Sequence, residues 1–298
     1  PVVGPTPPPE TTVPETTVPP TTVPDTTPGT VTPGVDEADY PADQRPEAVR
    51  PCELPEALQI TVLRPGTGRR AQSGDKVFID YIGIRSEDGA VFDQSYTRGE
   101  PLDFQIGRGA VIQGWDQGLL GAQTGAMIRL DIPADLAYGD QPQGDVIQAG
   151  DALTFVTEVR LVAPATTGAD APLDVAVPPS KGATETTAQD LIVGDGPELQ
   201  EGQTAVIHAL LVRGDNLVVL TNTWANNAPS QVPLSEGSAV LPGLVEGLIG
   251  ARVGSQRIIT MPPDDAYGEA GAPNLGLPAG TDLIAVVEVI GVFGDPAE

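Results

Sequence analysis

The side chains best suited to chemistry in this sequence are aromatic or apolar, with one carboxylate among them: Tyr81, Phe92, Asp93, Val111, Ile112, Trp115, Tyr138 and Phe155. Such a set does not attack a substrate. It encloses an apolar group and hydrogen-bonds what surrounds it. Aromatics at strand spacing are also what an ordinary core uses, but two features resist that reading. Phe92-Asp93 places a carboxylate directly after a buried-type aromatic, with Arg98 five residues on to balance it. Tyr138 sits in a loop containing Gly and Pro, where a core aromatic has little to pack against. Other chemistries drop out on composition. Cys52 is the only cysteine and His208 the only histidine, which excludes zinc, iron–sulfur and Cys/His nucleophile sites.

These residues need elements to hold them. In Val111-Ile112-Gln113-Gly114-Trp115-Asp116-Gln117-Gly118-Leu119 an apolar pair leads into a very short helix with Trp115 and Leu119 on one face. Asp116 falls in its first turn, where the helix dipole favours a negative charge, and Gly121 is a left-handed stop. One or two turns cannot stand alone in water, so strands must carry the helix. The pattern predicts them at Ile60–Leu63, Asp75–Ile84, Val91–Asp93, Pro101–Gly107 and Ala126–Ile132, with a hairpin turn at Glu87-Asp88-Gly89. In the strand Ala126–Ile132, alternation puts Ala126, Ile128, Leu130 and Ile132 on the core face. A closing strand places Leu153, Phe155, Val159 and Leu161 on one face. The outcome is a compact α+β unit.

Charge narrows the partners. With 41 acidic against 15 basic residues, net −26, and only two lysines, the chain does not suit a phosphate backbone, so no nucleic acid partner is expected. Nor does it suit a polybasic membrane site. It holds no stretch of roughly 18 consecutive apolar residues, so no membrane-spanning segment is expected. Residues 1–34 contain 11 Pro and 11 Thr in loose Pro-Glu-Thr-Thr-Val repeats, with no base before Arg45. Residues 1–51 therefore read as a disordered Pro/Thr-rich tether, or as a Thr/Pro-rich stalk open to O-glycosylation. The chain does not begin with Met, and a removed signal peptide would agree with a secreted or envelope-tethered, extracytoplasmic protein.

After a pattern-poor stretch from Ala163 to Gln189, the first unit returns in weakened form. Gly114-Trp115 is matched by Gly243-Leu244 and Tyr138-Gly139 by Tyr267-Gly268, each at an offset of 129 residues, while Gly66-Thr67-Gly68 is matched by Gly194-Asp195-Gly196 at 128. An offset held to one residue is an internal repeat.

The runs Asp80-Tyr81-Ile82-Gly83, Gly89-Ala90-Val91-Phe92-Asp93-Gln94-Ser95, Gly109 to Leu119, Ile132 to Gly139 and Leu153 to Val159 together resemble an FKBP-type peptidyl-prolyl cis-trans isomerase over about residues 54–162. The resemblance implies a bent antiparallel sheet wrapped over one short helix. It implies an FKBP-type isomerase domain at 52–163, a linker at 164–172 and a degenerate FKBP-like domain at 173–298. It also implies the site: a proline ring above Trp115 with Tyr81, Phe92 and Phe155 as walls, and peptide carbonyls held by the Ile112 N–H and the Tyr138 hydroxyl. Asp93 would lie beside the carbonyl that rotates, with Val111, Leu102, Arg98 and Ile147 completing the substrate contacts. No cofactor or metal is implied.

The partners that follow from the resemblance are unfolded or proline-containing polypeptides and, weakly, macrolide immunosuppressants. Macrolide binding is weakened here because Leu102 stands where the family usually has an aromatic, and the loop Asp140–Gly150 lacks the usual proline-bearing run. In the second unit Tyr267 and Val240-Leu241-Pro242-Gly243 remain, but the floor becomes Leu244, the walls Ala209, Leu220 and Ala285, and the acid Thr221. Such a unit is expected to have lost catalysis.

The expected function is thus acceleration of X–Pro rotation in extracytoplasmic protein folding through the first unit. The alternative is a non-catalytic chaperone or adaptor that holds proline-bearing segments. Arg213-Gly214-Asp215-Asn216 reads as a hairpin turn before it reads as an adhesion signal, His208 as a strand residue beside the degenerate pocket, and Trp224 as a half-buried loop aromatic.

Overall fold

A computed structural model describes residues 46–235, 237, 238 and 240–297. The readings made for residues 1–45 lie outside that range. Inside it, Arg50 donates to the Glu87 carbonyl at 3.1 Å, which lays the start of the described chain against the first repeat.

The first repeat comprises β1 (Gln59–Arg64), β2 (Lys76–Arg85), β3 (Val91–Gln94), β4 (Leu102–Gln105), α1 (Gln113–Gly118), β5 (Met127–Ile132) and β6 (Leu153–Ala163). Its antiparallel sheet runs β1-β5-β6-β2-β3, with β4 also paired to β2. The second repeat has β7 (Thr187–Ile192), β8 (Thr204–Arg213), β9 (Val219–Asn222), β10 (Ser230–Pro233), α2 (Pro242–Leu248), β11 (Gln256–Met261) and β12 (Leu283–Phe293). Its order, β10-β8-β12-β11-β7 with β9 on β8, is the same topology. The Arg213–Asn216 motif is the turn between β8 and β9, and its Arg213 and Asp215 pair with each other in two contacts of 2.9 and 2.7 Å.

Each helix lies almost flat on its sheet, and two glycines make that possible. A Cβ on Gly118 would sit 2.6 Å from Leu130 Cδ2, and one on Gly114 would enter Ile132. Gly243 and Gly247 repeat the device against Met261 and Ile259. The close approach lets α1 bury Trp115 and Leu119, which are 3% and 1% exposed. Burying one indole is worth roughly 4–6 kcal/mol, which is what a six-residue helix lacks by itself. Asp116 falls in the first turn of α1, as expected, and has a second task. Its carboxylate accepts from the Gly107 and Gly109 amides at 2.9 and 2.7 Å and so fastens the loop that leads into α1.

Leu161 does not share a face with Leu153, Phe155 and Val159. Phe78 pairs with Leu161 and Ile79 with Val159, so Arg160 is an extra residue. This bulge reverses the alternation. Val162 takes the core position, and Leu161 points the other way. The second repeat has the same bulge at Ile290, between Val289 and Gly291. The two bulges meet. Phe78, Leu161 and Ala163 pack with Val206, Ile290 and Phe293, the phenyl rings 6.3 Å apart, and a Cβ on Gly291 would come within 2.6 Å of Leu161 Cδ1.

The stretch after β6 runs along the second repeat. Thr166 reaches His208, Trp224 and Asn227, Ala171 is buried with Trp224, and the amides of Ser180 and Ala183 donate to Gly214 and Asp282. Asn227 in turn donates to the Gly74 carbonyl of the first repeat at 3.0 Å. Two sequence expectations change here. Trp224 is fully buried at 1% exposure and stacks on the imidazole of His208, with centroids 5.0 Å apart. His208 lies on the sheet face opposite the pocket-equivalent residues, because it alternates with Ile207 and Ala209 of the other core.

Burial pushes the His208 pKa down to about 4, and the charge of Asp170 offsets only part of that. The unfolded imidazole takes a proton near 6.5 and the folded one resists until about 4, so its contribution is complete above pH 6.5 and is lost as pH falls toward 4. We expect acid to cost on the order of 3 kcal/mol across that window. Urea midpoints taken from pH 7 to pH 4 should flatten in His208→Asn, and an unchanged slope would refute the assignment.

Candidate active site

The site starts from Gly83. Its position on β2, opposite Phe155 of β6 and Asp93 of β3, leaves room for two rings: a Cβ there would lie 2.7 Å from Phe92 Cζ and 2.8 Å from Phe155 Cε1. Phe92 meets Phe155 edge-on at 5.5 Å, and Phe155 meets Trp115 edge-on at 5.2 Å. Tyr81, two residues before the glycine on the same face, meets the indole edge-on at 5.1 Å. Edge-to-face contacts set each ring's positive rim against its neighbour's negative face. The rings pack as one buried apolar cluster, and the indole N–H of Trp115 has no hydrogen-bond partner among the described residues.

Val111 and Ile112 are half-buried against this core, and Ile147 is 4% exposed within it. The Ile112 N–H has no acceptor among the described residues, because only its carbonyl is used, by Trp115 and Asp116. Tyr138 follows a short turn over Ala134–Leu136, is 37% exposed, and its hydroxyl has no partner among the described residues. An amide and a hydroxyl are thus left without partners among the described residues at the edge of an apolar ring cluster. Leu102 is 36% exposed and lies outside the packed cluster, on the same face of β4 as Phe104. The residue of β4 that reaches the indole is Phe104, at 5.7 Å. The sequence reading passed over Phe104, although strict alternation from Leu102 would have put it on the same face.

Polar groups converge on one edge. The Tyr81 hydroxyl donates to Asp93, Arg98 Nη1 donates to the same carboxylate at 2.7 Å, and Arg98 Nη2 donates to the Tyr81 oxygen at 2.9 Å. The Gln94 amide donates to Asp93 at 2.8 Å. Burial and the bond to Asp93 push the Tyr81 pKa up to about 12. Burial would raise Asp93 too, but the donors Tyr81, Arg98 and Gln94 outweigh it and hold the acid below its ordinary value. Tyr138 is raised, by burial first and then by the negative charge of Asp93. Asp93 is therefore a fixed anion, Tyr81 and Tyr138 are fixed neutral donors, and Arg98 is a fixed cation.

In the second repeat the register places Leu211 opposite Ala285 and Thr221, as Gly83 stands opposite Phe155 and Asp93. Among the described residues, Tyr267 is the one aromatic packed on the core around Leu244 and Ala285 in the second repeat.

A family model described as FKBP-type peptidyl-prolyl cis-trans isomerase matches the chain twice, over residues 67–160 and 196–290. FK506-binding protein 1A of Neurospora crassa is 46% identical over 105 residues, covering 35% of this chain and 87% of that protein. The FK506-binding protein of Streptomyces anulatus is 44% identical over 111 residues, 37% of this chain and 90% of that protein. Peptidyl-prolyl cis-trans isomerase FKBP10 of Homo sapiens is 34% identical over 241 residues, reaching across 80% of this chain but only 38% of its own length. Two matched repeats, each with the sheet and glycine-faced helix described above, place the chain in the FKBP-type peptidyl-prolyl cis-trans isomerase family.

Proposed function

We propose that the first repeat, residues 52–163, carries the isomerase activity, that the second, residues 173–298, is catalytically silent, and that the enzyme assists folding of proline-containing chains outside the cytoplasm. The observation that carries this reading is the ring cluster around Trp115 with Asp93 at its edge, found in one repeat and replaced by aliphatic residues in the other. The Pro/Thr-rich N-terminal composition supports the compartment. Macrolides would bind the same pocket, weakly for want of an aromatic at Leu102.

Rotation about an X–Pro bond faces a barrier of roughly 18–20 kcal/mol, mostly amide resonance, and takes tens to hundreds of seconds unaided. Resonance puts negative charge on the carbonyl oxygen. A carbon-lined hollow stabilises that charge less than water does, so the planar amide loses more on entry than the twisted one. The anion of Asp93 beside the rotating carbonyl acts in the same direction. Its bonds to Tyr81 and Arg98 keep it charged and keep it from swinging onto the substrate. The Ile112 N–H and the Tyr138 hydroxyl hold neighbouring carbonyls, so that one half of the amide is fixed while the other turns. No proton moves and no bond is made.

Variants of the full chain test this in a protease-coupled assay on proline tetrapeptides. Asp93→Leu should lower kcat/KM about tenfold, the equivalent of about 1.4 kcal/mol, and Tyr138→Phe by a smaller factor carried mainly by KM. Thr221→Leu and Tyr267→Phe should leave the rate unchanged, and a loss in either would mean that the second repeat works as well. Asp93 is held low and both tyrosines are held high, so kcat/KM should be flat from about pH 6.5 to 9. A bell-shaped profile inside that range would show that a titrating group takes part.

A further inference from the structure

The loop between Tyr138 and β6 carries Ile147 into the core that holds the rings, on a glycine-rich backbone. Gly139, Gly144 and Gly150 all have left-handed φ, at +58°, +56° and +82°, and residues 140–145 are all exposed. Such a segment has many conformations to lose. Its internal ties are the bonds from the Gln141 amide to the Tyr138 carbonyl at 3.1 Å, from the Gly150 amide to the Gly139 carbonyl at 2.8 Å and from the Asp151 amide to the Gln148 carbonyl at 3.3 Å, the reciprocal pair between Gln143 and Ile147 at 3.0 and 3.2 Å, and two long bonds from Gln148 Nε2 to the Asp145 and Val146 carbonyls at 3.4 and 3.5 Å.

A further tie comes from outside the loop. Arg85, the last residue of β2, donates from Nη1 to the carbonyl of Val146 at 3.3 Å, and its Nε lies 3.0 Å from the Asp151 carboxylate, an ion pair without hydrogen-bond alignment. The same Asp151 oxygen accepts the amide of Gln148 at 2.7 Å. Arg85 therefore grips the peptide group before Ile147 directly and the one after it through Asp151. The Arg85 side chain is 19% exposed and that of Asp151 9%, so water competes weakly for either. Glu87 and Asp88 in the hairpin turn add only longer contacts, 3.5 and 3.7 Å, from exposed side chains.

The second repeat supplies an internal comparison. Arg213 stands at the end of β8 as Arg85 does on β2, and its Nη1 likewise reaches a loop carbonyl, that of Gly276, at 3.4 Å. Its guanidinium, however, pairs with Asp215 in its own hairpin turn and not with a carboxylate across the sheet. The single reach belongs to the fold. The two-sided grip occurs only where the ring-lined hollow does.

We propose that Arg85, through Asp151, is a positioning residue that holds Ile147 at the pocket and so sets the preference for the residue before proline. The proposal rests on the reading that the first repeat is the catalytic one. In that reading Tyr138, which opens this loop, holds a carbonyl of the bound peptide, so the side chain preceding proline comes to the loop that carries Ile147. A fixed Ile147 favours an aliphatic side chain over a charged one, and a loose one discriminates less.

The test uses the full chain and tetrapeptides with Leu, Ala or Glu before proline. Arg85→Met keeps the stem and Asp151→Asn keeps an acceptor for Gln148, so at least the second is expected to fold normally. Each should reduce the Leu-to-Glu ratio of kcat/KM about fivefold, through KM with kcat little changed. The double variant should go no further, because the two residues act as a unit. An unchanged ratio, an equal slowing of all three peptides, or full additivity of the two changes would each overturn the proposal. A wild-type chain that accelerates none of the peptides would overturn the catalytic reading itself and this proposal with it.

Discussion

The edge-on seating of Tyr81 and Phe155 against the indole of Trp115 is the constraint that the first repeat obeys. A six-residue helix has no stability to spare, and it persists because its one large side chain is the floor on which the strands close. The demands spread outward from there. Gly114 and Gly118 let the helix approach β5, Gly83 leaves space for two phenyl rings, and Asp116 ties down the loop that delivers the helix. The rings that stabilise the fold are also the ones proposed to receive a guest, so in that reading core and binding site are a single object.

The second repeat shows which of those demands belong to the scaffold and which to the guest. Topology, bulge, helix and paired glycines are all kept. The rings are not, and their loss is compensated locally: where Phe92, Phe155 and the narrow Gly83 once had to fit together, Leu220, Ala285 and the larger Leu211 stand. Gaining bulk at the glycine as the phenylalanines shrink keeps the interior filled. A mutation in either direction alone would leave a void or a clash.

Much of this was legible in the sequence. Periodicity and turn residues placed the strands, the short helix, the hairpin turns and the doubling, and the spacing of Phe92, Asp93 and Arg98 anticipated that the last two would pair. What was missed has a common cause, since nothing local signals it. Arg160 carries no mark of a bulge, so Leu161 was put on the wrong face. His208 interrupts an apolar strand and Trp224 stands in a polar loop, and nothing along the chain shows that they bury each other beneath a segment that reads as linker. Leu102 drew notice by being unlike the usual aromatic, which hid Phe104 two positions along. The Arg85 grip on the 143–151 loop depends on two segments brought together by the sheet, and a linear reading cannot see it.

The meeting of the two bulges also bears on how the gene product can be divided. The irregularity that turns Leu161 and Phe78 outward in one copy turns Gly291 and Val206 outward in the other, so the halves join through corresponding positions, much as two identical molecules would across a twofold axis. Cutting between them would uncover an oily scar on each half at the very spot suited to gripping another copy of itself. The tandem arrangement keeps that seam permanently occupied by its own sister.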